Sequence, residues 1–459
     1  MPGSNQAKNA LRKPCCHSSQ IRAYLLPVTG KTLRSLNQMR STGDLPFMTG
    51  ADKRLTILLL CLSGSIIYWL PFMSEIYYMP MQEAFGFSKT QLGFLSSTFG
   101  LVSLLTYIPG GWLADRVSSR KLISIALVIT AAGGFVFSTF PSFQISLILF
   151  GIWGVASACI FWSAMIKATR NWASEKEQGK AFGILEGGRN GVDMITAAIF
   201  LAIFAWRGGG NMALSELFVL ISVLTLTLAV LVWFVMKDDG RIATNQEPTQ
   251  PSFTLKDTIE VLKLPIVWLL AIIILSAYSG YWGAAYFTPY ATEVFELGSV
   301  MGGAVGTAKL WVAALVAVAA GFLADRIGPA RAVVWSFALM TLGFLVFAIL
   351  PGKPNLLPLL LFNVAVITSA VYALRGIYFS LLEQGGIPIA LTGTATGIIS
   401  VIGYTPDIFM PLIGGITLDA TPGAKGYQNY FSFVSVLSFI GLIAAYIVYR
   451  KLQVNPDKA

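Results

Sequence analysis

The strongest constraint on this chain is a series of long apolar stretches, each with the length of one membrane-spanning helix. At about 1.5 Å of rise per residue, roughly 20 apolar residues cross the hydrocarbon core of a bilayer. Soluble domains carry about 25% charged residues, whereas this chain carries 12%. We therefore predict an all-α membrane protein. Its twelve spans, numbered in chain order, lie at about 55–78, 91–114, 121–140, 144–166, 181–204, 213–236, 264–289, 299–321, 331–350, 355–379, 391–416 and 428–450.

The distribution of basic residues predicts the orientation of these spans. With the amino terminus inside, 26 of the 32 Lys and Arg lie in or beside cytoplasmic segments, whereas the external loops hold Lys89, Arg207, Lys353 and Lys425. By the positive-inside rule both termini are cytoplasmic. The net charge of +10 is thus a feature of orientation and does not indicate nucleic-acid binding. The four cysteines lack zinc or redox spacing, and we expect no metal and no cofactor.

The spans divide into two halves that repeat each other. Gly111-Trp-Leu-Ala-Asp-Arg follows span 2 and Gly321-Phe-Leu-Ala-Asp-Arg follows span 8, which places Asp115 and Asp325 210 residues apart. Parallel repeats of six spans predict two bundles related by an axis normal to the membrane. The predicted parts are a disordered basic cytoplasmic tail at 1–54, a six-helix bundle at 55–236, a cytoplasmic linker at 237–263, a second six-helix bundle at 264–450 and a cytoplasmic tail at 451–459.

The duplicated Gly-x-x-x-Asp-Arg loop resembles the signature loop of the major facilitator superfamily. The segments Phe182-Gly-Ile-Leu-Glu-Gly-Gly-Arg-Asn-Gly-Val-Asp193 and Ile402-Gly-Tyr-Thr-Pro-Asp407 are more narrowly similar to YihN-type bacterial permeases, on the sugar-phosphate and oxalate/formate side of the superfamily. The resemblance covers about residues 50–452. It implies a secondary transporter of the bacterial inner membrane that works as a monomer by rocking two bundles about a central site. Ser118 departs from the family pattern, because the first loop normally has glycine there.

The duplicated loop also carries a predicted conformational latch. Asp115 and Asp325 end helices at the cytoplasmic surface, where the amides at the N-terminus of a helix in the opposite bundle attract a carboxylate. In the family such contacts hold the cytoplasmic side closed; the alternative is charge that only sets orientation. The residues assigned to the latch are Gly111, Asp115, Arg116, Arg120, Gly321, Asp325, Arg326 and Arg331.

Two basic residues, Arg189 in span 5 and Lys309 in span 8, lie within otherwise apolar segments. A charge near the bilayer centre costs at least about 2.5 kcal/mol, so each base should face a counter-ion or a polar cavity. Glu186 and Asp193 lie three and four residues from Arg189, so both can reach its guanidinium. Lys309 has no such partner on its own helix, and Glu186, Asp193 or Asp407 could neutralise it across the interface. In the family, its span is the one in which oxalate/formate and nitrate carriers keep an essential base.

These charges allow two interpretations. In the first, Arg189 and Lys309 await an anionic substrate, and nearby acids carry the coupling. In the second, the same bases are locked in structural salt bridges. The family's cavity is lined by spans 1, 4, 7 and 10, and Arg375, at the end of span 10, is expected to be an interfacial base. The residues assigned to coupling are Glu75, Glu186, Asp193 and Asp407, and the aromatic residues assigned to the substrate are Tyr68, Trp162, Tyr281 and Trp282.

From these features we expect a secondary active transporter that moves a small organic anion by alternating access. A carboxylate, a sugar acid and a phosphate ester all fit, and H⁺, Na⁺ or a counter-anion could be the coupling partner. The alternatives with the same fold are a proton-coupled symporter of a neutral sugar and a drug exporter. A membrane enzyme would need nucleophilic, metal-binding or acid–base groups in the spans, and a transporter-like sensor would need an additional domain; the sequence offers neither.

Overall fold

The computed structural model describes residues 50–173, 177–237, 255–381 and 392–454. Residues 1–49 of the predicted tail at 1–54 and most of the predicted linker at 237–263 lie outside these ranges. Residues 50–54 were predicted to be disordered but belong to the helix Gly50–Ile66. The regular structure of the described residues is entirely helical. Eleven helical segments among them are long and apolar enough to cross a membrane. The predicted all-α membrane fold is therefore confirmed.

Eleven of the predicted spans correspond to these segments, and the first is divided. A short helix, Leu255–Leu262, precedes span 7. Spans 2 to 12 are Lys89–Arg116, Ser119–Phe137, Phe143–Trp172, Gln178–Trp206, Asn211–Val235, Pro265–Val294, Gly298–Ile327, Pro329–Ile349, Leu357–Ile377, Thr392–Gly403 with Pro406–Ala420, and Ala424–Val454.

Span 1 is not the continuous helix over 55–78 that the hydropathy predicts. It consists of Gly50–Ile66 and Ser74–Phe85, joined by turns at 67–73. Pro71 lies in these turns and has no amide hydrogen with which to continue a helical ladder. The break puts Glu75 in the first turn of the second helix, where the free amides favour a carboxylate. The first span therefore brings an acid into the bundle interior at a helix start.

Two further spans depart from regular α-helix. Span 4 contains a π-helical stretch, Val155–Trp162, between α-helical ends. Span 11 is interrupted between Gly403 and Pro406. Irregular stretches of this kind are frequent at functional sites, because they turn side chains away from the ordinary helical face. In this chain they hold Trp162 and Asp407, respectively, at or beside the irregularity.

Spans 1–6 pack mainly on one another, and so do spans 7–12. The two groups of helices meet where span 2 contacts span 11 and where span 5 contacts span 8. The second helix of span 1 also contacts spans 7 and 8. Movement of one group against the other would therefore act on these three interfaces.

Spans 2 and 11 approach each other closely at one end, which we call the Lys89 end. A Cβ atom added to Gly93 would lie 2.4 Å from the carbonyl oxygen of Pro411, and one added to Gly415 would lie 2.4 Å from that of Lys89. Real Cβ atoms do not approach a backbone oxygen so closely. Glycine at these two positions is thus what lets the two groups close here.

Polar contacts reinforce the closure at the Lys89 end. The amides of Lys89 and Thr90, at the start of span 2, donate to the Asp419 carboxylate at 3.2 and 2.7 Å. The Lys89 ammonium is paired with Glu293, whose carboxylate also accepts from the Tyr427 hydroxyl at 2.7 Å. A carboxylate on a helix N-terminus of the other group is the chemistry predicted for the latch. Here it operates at the opposite end of the molecule.

The predicted latch lies at the other end, which we call the Asp115 end. Asp115, Arg116, Arg326 and Arg331 are exposed. Gly111 has no neighbour within 4 Å of an added Cβ atom. Gly321 and Asp325 lie in the helix Gly298–Ile327, but their side chains are outside the described part.

Three of the latch arginines contact residues of their own group of helices. Arg116 lies over the Trp112 ring at 4.0 Å, and Arg120 lies over the Trp233 ring at 5.5 Å. Arg331 donates to the Tyr449 hydroxyl at 3.1 Å. The latch therefore stays a prediction, for a conformation that is closed at this end.

The glycine stripe of span 5 also lacks neighbours. Gly183, Gly187 and Gly191 recur every four residues, and among the described residues nothing lies within 4 Å of a Cβ atom added to any of them. Among the described residues, the two groups are thus packed together at the Lys89 end, whereas Gly111 and the three span 5 glycines have open space around an added Cβ atom. With the orientation that the basic residues predict, this is the arrangement expected of an inward-open conformation.

The two copies of the duplicated loop differ in backbone conformation. Ser118 has φ −65° and its hydroxyl caps the next helix by accepting from the Lys121 amide. Gly328, at the corresponding place in the second half, has φ +87°, which L side chains rarely adopt. Serine therefore replaces the family glycine without strain in the first loop, and glycine is required in the second.

We predict that Gly93→Ala opens the Lys89 end. The added methyl group meets the Pro411 carbonyl, and such overpacking costs about 1–3 kcal/mol in the closed state only. Spin labels at Glu83 and Lys425 report the distance across this end by pulsed electron paramagnetic resonance, and its distribution should shift to longer values.

Gly151→Ala is the matched control, because its Cβ atom would lie 3.9 Å from the nearest atom, in Thr98. Its distance distribution should equal that of the unmodified protein. Equal distributions for Gly93→Ala and the control would contradict the role given to this glycine.

Candidate functional site

A buried ion pair joins the two groups of helices near the middle of the molecule. The Lys309 ammonium of span 8 lies 2.6 Å from the Glu75 carboxylate of span 1. The Lys309 side chain is 2% exposed and that of Glu75 is 12% exposed. A lysine buried this deeply needs such a partner, since the isolated charge would be strongly destabilising.

Span 7 completes the surroundings of Glu75. The Tyr281 hydroxyl donates to the second carboxylate oxygen of Glu75 at 3.0 Å, and the Thr288 hydroxyl donates to its backbone carbonyl at 2.7 Å. Glu75 thus receives charged and neutral donors from two spans of the other group. The pair fixes the position of span 1 relative to spans 7 and 8.

This arrangement corrects two expectations about Lys309. Its counter-ion is Glu75, and not Glu186, Asp193 or Asp407. It also does not await an anion in this conformation, because it already has a carboxylate and is withdrawn from solvent. Helical periodicity could not identify the partner, because the break in span 1 is what carries Glu75 into the interface.

Arg189 lies in the interior of the first group of helices, between spans 1, 4 and 5. Its guanidinium donates to Glu186 at 3.0 Å, as the i,i+3 spacing predicts, and to the Gly64 carbonyl at 2.9 Å. The Tyr68 and Trp162 rings lie 5.8 and 5.2 Å from it, within cation–π range. Glu186 is 54% exposed, whereas Arg189 is 14% exposed. The base is therefore enclosed and its carboxylate partner is solvated.

Two interior carboxylates lack a basic partner among the described residues. Asp193 accepts from the Ser65 hydroxyl, and the prediction that it reaches Arg189 is wrong in this conformation. Asp407 accepts from the Trp282 indole N–H at 2.7 Å. Each is held by one neutral hydrogen bond, so each can gain or lose a proton without breaking an ion pair.

Arg375 is the functional candidate that sequence reasoning missed. It was expected at the membrane interface, but it packs against the rings of Tyr281, Tyr372 and Tyr278, at 4.5, 5.5 and 5.6 Å from their centroids. Within the described part of the chain it has no carboxylate partner. It is thus a guanidinium held inside the second group of helices by aromatic faces.

Tyr281 connects Arg375 to the ion pair between Glu75 and Lys309. Its ring is the nearest of the three to Arg375, and its hydroxyl binds Glu75. A displacement of Arg375 would therefore move Tyr281 and change its hydrogen bond to Glu75 at the interface between the groups. We call the three tyrosines around Arg375 the tyrosine cage. The sequence does contain a signal for it, because Tyr278 and Tyr281 are spaced i,i+3 in span 7, and Tyr372 and Arg375 have the same spacing in span 10.

The aromatic residues assigned to the substrate have different surroundings. Tyr68 and Trp162 face Arg189, and Tyr281 faces Arg375. Trp282 is buried and stacks on Phe72 of span 1, with ring centroids 6.2 Å apart. Trp282 therefore takes part in the contact between the groups and also donates a hydrogen bond to Asp407.

We predict that Glu75→Gln lowers the free energy of unfolding by about 3–5 kcal/mol, because it leaves Lys309 buried and unpaired. The double variant Glu75→Gln, Lys309→Met should recover most of the loss, since it removes both charges. Chemical unfolding of the purified protein in detergent measures these differences.

Glu216→Gln serves as the comparison, because Glu216 and Arg207 form an exposed pair of the kind worth at most about 1 kcal/mol. A loss for Glu75→Gln as small as that for Glu216→Gln would contradict the structural weight given to the buried pair.

Comparisons with known proteins agree with this architecture. The family model described as Major Facilitator Superfamily matches residues 55–406. The Escherichia coli inner membrane protein YqcE is 27% identical over 406 residues, covering 87% of this chain and 95% of that protein. The inner membrane protein YihN of the same organism is 26% identical over 400 residues, covering 86% and 95%. The resemblance to YihN-type permeases is thereby confirmed.

The fold is also that of a solved transporter. The crystal structure of a bacterial homologue of the human lysosomal transporter Spinster, in an inward-facing and unoccupied conformation, superimposes with a TM-score of 0.71. The match covers 88% of this chain and 98% of that one at 15% identity, so it bears on the fold alone. Together with the family match, it makes this multi-pass membrane protein a transporter and not an enzyme. The chain belongs to the Major Facilitator Superfamily.

Proposed function

We propose that this transporter moves a small organic anion across the inner membrane by alternating access of two six-helix bundles. A carboxylate, a sugar acid or a phosphate ester is the cargo that fits best. The observation that carries the proposal is the Arg375 guanidinium, which is enclosed by tyrosines and has no carboxylate partner among the described residues.

The energetics of Arg375 favour an anionic ligand. A cation–π contact supplies about 0.5–2 kcal/mol, whereas a basic residue within the membrane costs at least about 2.5 kcal/mol. Three such contacts together can offset that cost. Ring faces do not accept the in-plane N–H donors of the guanidinium, however, and these donors have no hydrogen-bond acceptor among the described residues. A carboxylate or phosphate matches those donors with two parallel hydrogen bonds, which a neutral hydroxyl cannot do.

Arg189 offers a second anchor from the other group of helices. Its partner Glu186 is more than half exposed, and exposed ion pairs contribute at most about 1 kcal/mol. A substrate anion can therefore displace Glu186 at little cost. Tyr372, whose ring contacts Arg375, also lies within electrostatic range of Asp193 in span 5. This proximity supports the proposal that Arg189 of span 5 and Arg375 of span 10 face a common cavity between the two groups of helices.

Coupling is proposed to use the interior acids. Asp193 and Asp407 each have one neutral hydrogen-bond donor, and Glu75 is paired with Lys309. A proton taken up at one of them would offset the charge of an entering anion, and Na⁺ or an exchanged anion would do so by direct compensation. Lys309 then acts in coupling through Glu75 and does not bind the cargo in this state.

One relative gives separate support for anion transport. The probable nitrate/nitrite transporter NarK2 of Mycobacterium tuberculosis is 24% identical over 337 residues, covering 72% of this chain and 81% of that protein. Its named cargo is an inorganic anion. At this identity the comparison supports the charge of the cargo and does not define its structure.

A neutral sugar is the second candidate, and a specific observation favours it. Arg189 and Lys309 both already have carboxylate partners, as expected if the bases are structural. The two candidates differ in what they require of Arg375, because a neutral sugar does not need its charge.

We predict that Arg375→Gln reduces anion uptake about 30-fold or more, because a charge-assisted hydrogen-bonded pair is worth roughly 2 kcal/mol. Uptake is measured in proteoliposomes with radiolabelled D-galactonate, glycerol 3-phosphate, nitrate and D-galactose, with and without a pH gradient. Arg375→Lys keeps the charge but loses the two parallel hydrogen bonds, so its uptake should be intermediate.

Arg207→Gln is the matched control, because Arg207 is an exposed arginine in an ion pair outside the cavity. Its uptake should equal that of the unmodified protein. Saturable D-galactose uptake that persists in Arg375→Gln, with no uptake of any of the three anions, would reject the anion proposal in favour of the neutral sugar.

A further inference from the structure

A small cavity lined by Glu75 lies on the side of this residue toward the Lys89 end. Its volume is about 20 Å³, which is enough for one water molecule. Glu75 and Tyr78 of span 1 contribute to its lining, together with Ser96 of span 2 and Trp282 of span 7. The cavity therefore has polar groups from both groups of helices around a volume the size of one water molecule.

The Tyr78 hydroxyl supplies an independent reason to place water there. Tyr78 is 5% exposed, and among the described residues its hydroxyl has no hydrogen-bond partner. Buried hydroxyls nearly always have a partner, and ordered water provides one where the protein does not. A water molecule in the cavity that Tyr78 and Glu75 share would satisfy both.

The buried Tyr78 side chain is also close to two acids at the Lys89 end. It is within electrostatic range of Glu293 and Asp419. Both of these acids line a second pocket of about 520 Å³ at that end, together with Gln82 and Glu83. Tyr78 lines the cavity at Glu75, and Met79 and Gln82 of the same helix line the larger pocket, which we call the vestibule. The helix Ser74–Phe85 therefore separates the two.

We propose that the cavity holds one water molecule, which hydrogen-bonds to Tyr78 and Glu75 and completes a proton route from the vestibule to the buried ion pair. A proton passes from the vestibule to the Tyr78 hydroxyl as that hydroxyl gives its own proton to the water. The water in turn protonates the Glu75 carboxylate. Glu75 becomes neutral, Lys309 keeps its charge, and the ion pair between the groups is broken.

Other ionisable groups near Glu75 fit this assignment. Lys309 and Tyr281 contact its carboxylate directly. Asp193 and Tyr372 are within electrostatic range. The only base in contact with Glu75 in the described part of the chain is Lys309, so protonation of Glu75 acts on that pair. The inference deepens the proposed coupling by naming H⁺ as the partner, and it does not depend on the cargo being an anion.

The test uses purified full-length protein in lipid nanodiscs without any substrate. A rapid drop in pH is followed by time-resolved infrared spectroscopy of the carboxyl C=O stretch, and the Glu75 band is identified by its loss in Glu75→Gln. We expect Tyr78→Phe to slow the appearance of this band by about tenfold, because the route loses one hydrogen-bonded link.

Tyr77→Phe is the matched control. Tyr77 is adjacent, fully buried and also has a hydroxyl without a partner among the described residues, but it does not line the cavity. Its rate should equal that of the unmodified protein. Equal rates for the two tyrosine variants, or the absence of a Glu75 band, would overturn the proposal.

A structure of the protein at a resolution that shows ordered water gives a second test. Density for one water within hydrogen-bond distance of the Tyr78 hydroxyl and Glu75 supports the route, and an empty cavity overturns it. Since neither test involves cargo, failure of the anion screen would leave this inference standing, and the converse also holds.

Discussion

The ion pair between Glu75 and Lys309 is the interaction on which the arrangement of the two groups of helices depends. It is buried, it joins span 1 to span 8, and span 7 completes it through Tyr281. A buried ion pair adds little net stability compared with apolar packing, but breaking one side of it is strongly unfavourable. This conformation is therefore stable only while both residues of the pair are charged. While both charges are present, their attraction holds the two groups together. Neutralising one of them removes that attraction and leaves the other charge buried without a partner.

The contact between a carboxylate and a helix N-terminus is formed at the Lys89 end of the molecule and is only predicted at the Asp115 end. At the Lys89 end, Asp419 occupies the N-terminus of span 2, and glycines let the backbones of spans 2 and 11 touch. At the Asp115 end, Arg116 and Arg120 contact tryptophans of their own group, and no described atom lies within 4 Å of a Cβ atom added to the span 5 glycines. The latch predicted from the duplicated loop would place the same combination, glycines and a carboxylate on a helix N-terminus, at the Asp115 end. Rocking of two rigid groups would exchange one set of contacts for the other.

The interior charges differ in how fully they are compensated, and the different roles that we propose for them follow from this difference. Lys309 is matched and enclosed, so it suits coupling. Arg189 has a solvated partner that can be displaced, and Arg375 rests on tyrosine rings without a carboxylate in the described part of the chain. Tyr281 contacts both Arg375 and Glu75, so a ligand on the guanidinium is one side chain away from the ion pair. This short connection is a physical route by which cargo could bias the closure of the Lys89 end.

The sequence by itself determined the membrane class, the family and most of the span positions, because the apolar length of a helix and a duplicated loop are local properties of the chain. It also predicted the pairing of Arg189 with Glu186, which depends only on helical spacing. Which partner Lys309 takes, and that Arg375 lies in a tyrosine cage, were decided by the tertiary structure. Both depend on where distant spans meet and on a break in span 1 that hydropathy does not register, since apolar turns and apolar helix have the same composition. Contacts between residues such as Glu75 and Lys309, 234 positions apart, arise only when the two groups of helices pack.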